Sequence, residues 1–243
     1  MQWRLQLHAV LPSTSDLCRT LAARGEPAGL AVLAQRQSAG RGSRGRGWTT
    51  PAGNLALSVL LRPNLPAREA AQISLLAGVA VAEAVAHFLP DVADLALKWP
   101  NDVLLGGAKL AGILIETHGV DGRLDWLVAG IGVNLAHAPT VPGRATAALA
   151  QRRLAPPPEA FAAVLLDRLG HWLAVQQGHG FASVRAAWLD HALPVASAMT
   201  IKLGDQIVAG AFMGLGEDGS LLLQTATGPR HFTAGDVLLP MEA

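Results

Sequence analysis

The chain has 243 residues, of which 51% are hydrophobic and 15% charged, with Lys+Arg 19 against Asp+Glu 18. That balance builds a sizeable core and excludes a disordered chain, and a formal net charge of +1 excludes one made to coat nucleic acid. A single cysteine, Cys18, excludes an internal disulfide framework and fits a reducing compartment; its neighbours Leu17, Leu21 and Ala22 mark it as a packed thiol and not a nucleophile.

Trp3 to Val10 reads as a strand, and Pro12-Ser13-Thr14-Ser15-Asp16 offers several N-caps for a helix ending near Gly25. Gly29 to Ala34 is a short apolar strand. It runs into Gln37 to Trp48, QSAGRGSRGRGW, where four glycines and three arginines fall between Gly40 and Trp48. Glycine lets another molecule approach the backbone closely, and arginine offers a forked, permanent donor for phosphate or carboxylate, so the stretch reads as an anion-binding loop. A strand over Asn54 to Leu61 follows, so the loop hangs between two ordered elements, unlike the long tracts of Arg-Gly RNA binders.

Residues 66 to 89 carry Ile73, Leu76, Ala77, Ala80 and Ala84 at helical spacing, which predicts a helix with one buried face. Glu83 and His87 interrupt this apolar region, which is too short to span a bilayer comfortably, and no basic-then-apolar leader opens the chain. The expectation is a cytoplasmic protein with no membrane partner.

Leu97 to Glu116, LKWPNDVLLGGAKLAGILIE, reads as paired strands joined at Pro100-Asn101-Asp102 and Gly106-Gly107. Lys109 precedes an almost unrelieved apolar run, so its ammonium needs an anionic partner, either a protein carboxylate or a ligand. In the strand Leu124 to Leu135, Gly130, Gly132 and Asn134 are spaced by two and face one side, where the glycines either leave room for a flat or bulky group or permit a bulge. Helices follow from Pro156 and over Phe181 to His191; short strands after Pro194 predict a small barrel of about fifty residues. The division is therefore 1–194 for a catalytic domain and 195–243 for the small β-barrel domain.

Taken together, GRGSRGRGW, KWPNDVLLGGAKLAGILIE and AGIGVNL resemble biotin protein ligases, in the form lacking an N-terminal DNA-binding domain. The resemblance covers nearly the whole chain. It implies an α+β fold: a mixed β-sheet covered by helices, of the class II aminoacyl-tRNA synthetase-like or biotin-lipoate ligase type, followed by a Src-homology-3-like barrel. It implies ATP and biotin as substrates with Mg2+ accompanying the triphosphate, biotinyl-5'-AMP as intermediate, and transfer to a lysine of a biotin carboxyl carrier protein domain. It leaves monomer and homodimer open. Because Ser13 lies so near the start, it also implies no operator binding.

By the same resemblance Ser13, Thr14 and Ser15 line the biotin head-group pocket, with Ser15 in place of the usual asparagine, and Gln37 contacts biotin. Gly40, Arg41, Gly42 and Ser43 close over the acyl chain and phosphate. Arg46 contacts phosphate, Trp48 packs on adenine, Asn134 contacts adenine, and Gly112 and Gly130 belong to the pocket. Lys109 is the catalytic lysine, able to touch both the biotin carboxylate and the α-phosphate, with Arg46 assisting and Asp102 a candidate to support magnesium. The family's loop commonly carries arginine where Ser43 stands. Arg44 is then a candidate nucleotide contact, though neighbours in an extended loop point apart. The expectation is weaker retention of the adenylate. A lipoate or octanoate ligase or transferase is the nearest rival, and a non-catalytic Arg-Gly RNA-binding module with a C-terminal interaction barrel the rival from another class.

Overall fold

The structure, a computed structural model, describes residues 1–239; the last four residues of the expected small domain lie outside the described ones. Seven strands build the main sheet: β1 (Arg4–Leu11), β2 (Leu30–Gln37), β3 (Leu55–Leu61), β4 (Leu95–Lys98), β5 (Asp102–Leu105), β6 (Ala108–Val120) and β7 (Arg123–Val133). Their spatial order is β1-β2-β3-β7-β6-β5-β4. Only β1 and β2 run parallel, joined by the crossover helix α1 (Thr14–Ala23); the other pairs are antiparallel.

Strand alternation divides the sheet into two faces. Leu55, Leu57, Val59 and Leu61 of β3, with Leu127, Ala129, Ile131 and Val133 of β7, pack into the main core. That core also holds α2 (Ala70–Phe88), α3 (Pro158–His179) and α4 (Phe181–Asp190). On the opposite face, Leu30, Val32, Leu60, Trp126 and Val128 pack with Cys18 and Ala22 under α1. Cys18 is fully buried there, and burial pushes its thiol up to about 12, which suits a packed side chain and not a nucleophile.

The helix expected over 66 to 89 is present, preceded by a short 3-10 turn at Ala67–Glu69. It is buried nearly all round: Leu75, Val79, Val81, Ala82 and Val85 are enclosed as well as the expected stripe. The reason is its position between the sheet and the helices α3 and α4. By length and composition residues 67–88 could cross a membrane, but 72% of that apolar window is buried inside the protein, as in a core helix. Glu83 is half-buried with its carboxylate 4.0 Å from Arg168, so its ionic neighbour lies on α3.

The C-terminal strands are β8 (Ala198–Leu203), β9 (Gln206–Leu215), β10 (Leu221–Thr225), β11 (Gly228–Phe232) and β12 (Asp236–Leu238). They form an antiparallel sheet in the order β11-β10-β9-β8-β12, and no ladder joins β11 to β12 among the described residues. Phe212, Leu215, Leu221 and Leu223 of this sheet share one core with Trp99 and Trp188. Trp99 Nε1 donates to the Gly219 carbonyl at 3.1 Å, and Arg185 donates to those of Leu215 and Gly216. The small sheet is thereby fixed against the large one, with β12 beside the arginine-glycine loop.

Candidate active site

The face that α1 covers at one end of the sheet is open at the other. Along β7, Trp126 and Val128 under α1 give way to Gly130 and Gly132, then Asn134; along β3, Leu60 gives way to Ser58 and Ala56. A Cβ on Gly130 would sit 2.5 Å from Ser15 Oγ, and one on Gly132 would collide with the Trp48 indole. Gly112, opposite Gly132 in the β6–β7 ladder, leaves the space taken by Lys109 and the edge of Trp48.

The floor of this opening is a set of buried hydroxyls. Ser13 is the N-cap of α1, accepting from the Asp16 amide at 3.3 Å, and also lines the cavity. Capping and lining are therefore compatible. The Thr14 amide donates to Gln37 Oε1 at 2.8 Å, and Thr14 Oγ1 lies 3.1 Å from the same oxygen and 2.7 Å from Ser58 Oγ. Ser15 Oγ lies 3.0 Å from Ser58 Oγ, while Gln37 Nε2 donates to Thr50 Oγ1 at 3.1 Å. Ser58 joins these groups, and the sequence did signal it: it is the lone polar residue of LALSVLL.

Over the opening lies the arginine-glycine loop, folded as a narrow hairpin. Trp48 donates from its amide to the Gly40 carbonyl at 2.9 Å, Gly42 to the Arg46 carbonyl at 2.7 Å, and a 3-10 turn at Ser43–Gly45 closes the tip. A Cβ on Gly40 would strike both the Trp48 carbonyl and Gln37 Nε2, so that position has room only for glycine. Arg44 (φ 60) and Gly45 (φ 73) take left-handed backbone conformations at the turn. The tip is thus not extended, and side chains do not alternate in direction at Arg44.

The loop is held on both sides by carboxylates. Arg41 reaches Asp16 at 2.8 Å and Glu116 at 2.6 Å. Its burial opposes the charge, but the hydrogen bond and charge of Glu116, with Asp16, outweigh that and raise its already high pKa. On the other side Asp236 of β12 faces Arg46 at 2.9 Å, Arg44 at 3.2 Å and Arg144 at 3.3 Å. Burial pushes the Asp236 carboxyl up, but the three guanidinium groups, Arg46 foremost, pull it below its ordinary value. Arg44 therefore does not turn in beside Ser43 beneath the loop; it is drawn outward onto Asp236.

Two cavities adjoin beneath the loop. One, of about 40 Å³, is lined by Ser13, Thr14, Ser15, Gln37, Gly130 and Gly132, among others. The other, of about 270 Å³, is lined by Arg46, Asn134, Pro139, Val141, Arg144 and Thr146. Gly42, Ser43, Trp48 and Lys109 line both and form their shared wall. Asn134 is buried, receives a 3.4 Å contact from Asn54 Nδ2, and directs its own amide toward the Lys109 carbonyl. Residues 139 to 147 are strapped to β6 by Lys109 N to Ala145 O and Ala147 N to Lys109 O, both 2.9 Å, which brings Arg144 and Thr146 to the rim. No local pattern marked Arg144, Thr146 or Asp236 in the sequence, since their place depends on contacts across the fold.

Lys109 pairs with Asp102, its ammonium 5.7 Å from the Trp48 ring centroid, and Lys98 lies 3.5 Å from the other Asp102 oxygen. The anionic partner expected for Lys109 is thus a protein carboxylate. Both oxygens of Asp102 face lysines, so in this structure the carboxylate serves as an ion-pair partner. Among the described residues, Trp48 Nε1 and Arg41 Nε are buried donors in the site without an acceptor.

A cavity floored by hydroxyls, an adjoining cavity rimmed by arginine, and one lysine between them define an enzyme of the acid-activating ligase class. The comparisons carry this further: residues 7–134 match the Biotin/lipoate A/B protein ligase family, and residues 198–239 match the biotin protein ligase C-terminal domain. The chain belongs to the biotin protein ligase branch of that family. It is 40% identical over 212 residues to a biotin–[acetyl-CoA-carboxylase] ligase of Paracoccus denitrificans, covering 85% of this chain and 88% of the relative. It is 31% identical to the bifunctional ligase/repressor BirA of Bacillus subtilis, covering 98% of this chain and 75% of the relative. Among solved structures, the biotin protein ligase of Aquifex aeolicus in complex with biotin and ATP superposes with TM-score 0.82 at 26% identity, covering 97% of each chain.

Proposed function

We propose that this chain activates biotin with ATP as biotinyl-5'-AMP and transfers the acyl group to a lysine of a carboxylase's carrier domain. The observation that carries it is the shared wall: one ammonium, Lys109, borders both the hydroxyl-floored cavity and the arginine-rimmed one. In the first step a biotin carboxylate oxygen attacks the α-phosphorus, the bond to the bridging oxygen breaks, and diphosphate leaves. Two anions must meet, and a preorganised cation between them lowers the repulsion. Binding draws Lys109 from Asp102 toward the carboxylate and the α-phosphate, while Lys98 keeps Asp102 paired. In the second step the acceptor's lysine attacks the acyl carbon and AMP leaves, so the enzyme needs no nucleophile of its own.

Roles follow from position. Ser13, Thr14, Ser15 and Gln37 address the polar head of biotin, with Ser58 bonded behind Thr14 and Ser15. Arg46 and Arg144 face the phosphates, with Arg44 behind them on Asp236. Trp48 and Asn134 frame the adenine, and the free Trp48 Nε1 and Arg41 Nε supply donors for it and for the acid. Magnesium arrives with ATP as part of the substrate. At about 40 Å³ the acid cavity is below the usual ligand range of about 300–1,000 Å³, so biotin enters by lifting Trp48 and the loop. Residues 1–194 act as the catalytic domain and 195–243 as a supporting one. The near-neutral net charge and the spending of loop arginines on Asp16, Glu116 and Asp236 favour a partner that is a protein and not a nucleic acid. A cytoplasmic setting and a monomer or homodimer are compatible with this chemistry.

Diphosphate exchange into ATP, run with biotin or with lipoate, tests the assignment. Biotin alone should drive exchange; exchange driven by lipoate alone would move the chain to the other branch of the family.

A further inference from the structure

Gln37 ends β2, and its carboxamide lines the acid cavity. Both ends of that carboxamide are engaged within the protein. The Thr14 amide can only donate, so the atom 2.8 Å from it is the Gln37 oxygen, which also accepts from the Thr14 hydroxyl at 3.1 Å. The nitrogen therefore points the other way, where it donates to Thr50 Oγ1 at 3.1 Å. Thr50 is 4% exposed and lines neither cavity, so it reaches the acid only through Gln37.

The orientation of this one carboxamide sets the polarity of the cavity floor. The Thr14 hydroxyl gives its only proton to Gln37, so it accepts from Ser58, and Ser58 in turn accepts from Ser15. The chain of bonds runs in one direction from Ser15 to Thr50, each bond polarising the next. It leaves lone pairs at Ser15 and one N–H at Gln37, since a carboxamide nitrogen carries two protons and Thr50 takes one. The same bond also closes the base of the arginine-glycine loop, because Gln37 precedes the loop and Thr50 stands two residues beyond Trp48.

We propose that Thr50 is a positioning residue for recognition of the acid: by accepting from Gln37 Nε2 it holds the carboxamide with its remaining N–H turned toward the head of biotin. This rests on the function proposed above and adds to it a residue that borders neither cavity.

The test measures biotin-dependent diphosphate exchange and thermal melting for the full chain and its variants. Thr50→Val keeps the side-chain shape without the acceptor, and Thr50→Ala removes the acceptor without adding bulk. In either, the KM for biotin should rise by about tenfold, the worth of one hydrogen bond, while kcat and the KM for ATP hold within about twofold. Thr50→Ser keeps the hydroxyl and should restore the parent KM. In a Gln37→Met background Thr50→Ala should add no further rise, because its effect passes through Gln37. An unchanged KM for biotin in the hydroxyl-free variants, equal rises for biotin and ATP, a serine variant as impaired as the alanine one, or additive effects with Gln37→Met would each overturn the proposal. Absence of exchange with biotin in the parent protein would instead refute the function proposed above, and this proposal with it.

Discussion

The two cavities under the loop are built in opposite ways. The acid side is made by subtraction: Gly112, Gly130 and Gly132 clear the sheet, and short hydroxyl side chains bonded to one another set its floor. The nucleotide side is made by convergence, with Arg44, Arg46 and Arg144 from separate places gathered on one carboxylate of the C-terminal sheet. A site made by subtraction is rigid and selects by shape. A site made by ion pairs that are partly exposed is adjustable, and its strength depends on charge state and salt.

Substitutions can separate the two. Gly130→Val should have the largest effect on the acid side, since even a Cβ there meets Ser15 Oγ at 2.5 Å. We expect the KM for biotin to rise by about 100-fold, the scale of a few kcal/mol of lost complementarity, with the KM for ATP changed far less. Parallel rises in both constants would mean that the cavities are not independent.

Ser43 borders both cavities, so Ser43→Arg tests the wall between them. Added charge beside the adenylate should slow release of biotinyl-AMP by roughly tenfold, the worth of one charge-assisted contact. Equal release rates from the two proteins, measured by trapping free adenylate, would remove Ser43 from the account.

Asp236→Asn tests the convergent side with the smallest effect. The folded carboxyl is held below its ordinary value, so its stabilising contribution is full above the unfolded pKa of about 3.9 and is lost as pH falls through the folded value. The variant should therefore melt lower than the parent at pH 7, and the two curves should merge in strong acid. Its KM for ATP should rise severalfold while that for biotin holds. A melting difference unchanged down to the lowest pH would show that the carboxylate's charge is not what matters.

The same contrast explains what was legible in the sequence. Glycines spaced by two, capping hydroxyls beside them and a lysine before an apolar run are local patterns, and strand alternation alone places Gly130, Gly132 and Asn134 on one face. Ser58 was legible by the same logic. The arginine-glycine loop was recognisable, but its turn at Ser43–Gly45 and the direction of Arg44 were not, because both follow from Asp236, which is far along the chain. The pairing of Asp102 with Lys98 and Lys109 was not legible for a related reason: strand register is what brings the two lysines to one carboxylate. The extra burial of α2 likewise came from α3 and α4, which no periodicity within α2 could announce.

Lys109 belongs to both cavities, and its removal tests the central claim most directly. ATP-dependent transfer of labelled biotin to a carrier domain, measured for the parent and for Lys109→Ala of equal thermal stability, is the decisive comparison. The account predicts a loss of about 10²–10³ in rate, the usual consequence of removing a preorganised group that stabilises developing charge. Transfer at the parent rate would contradict it.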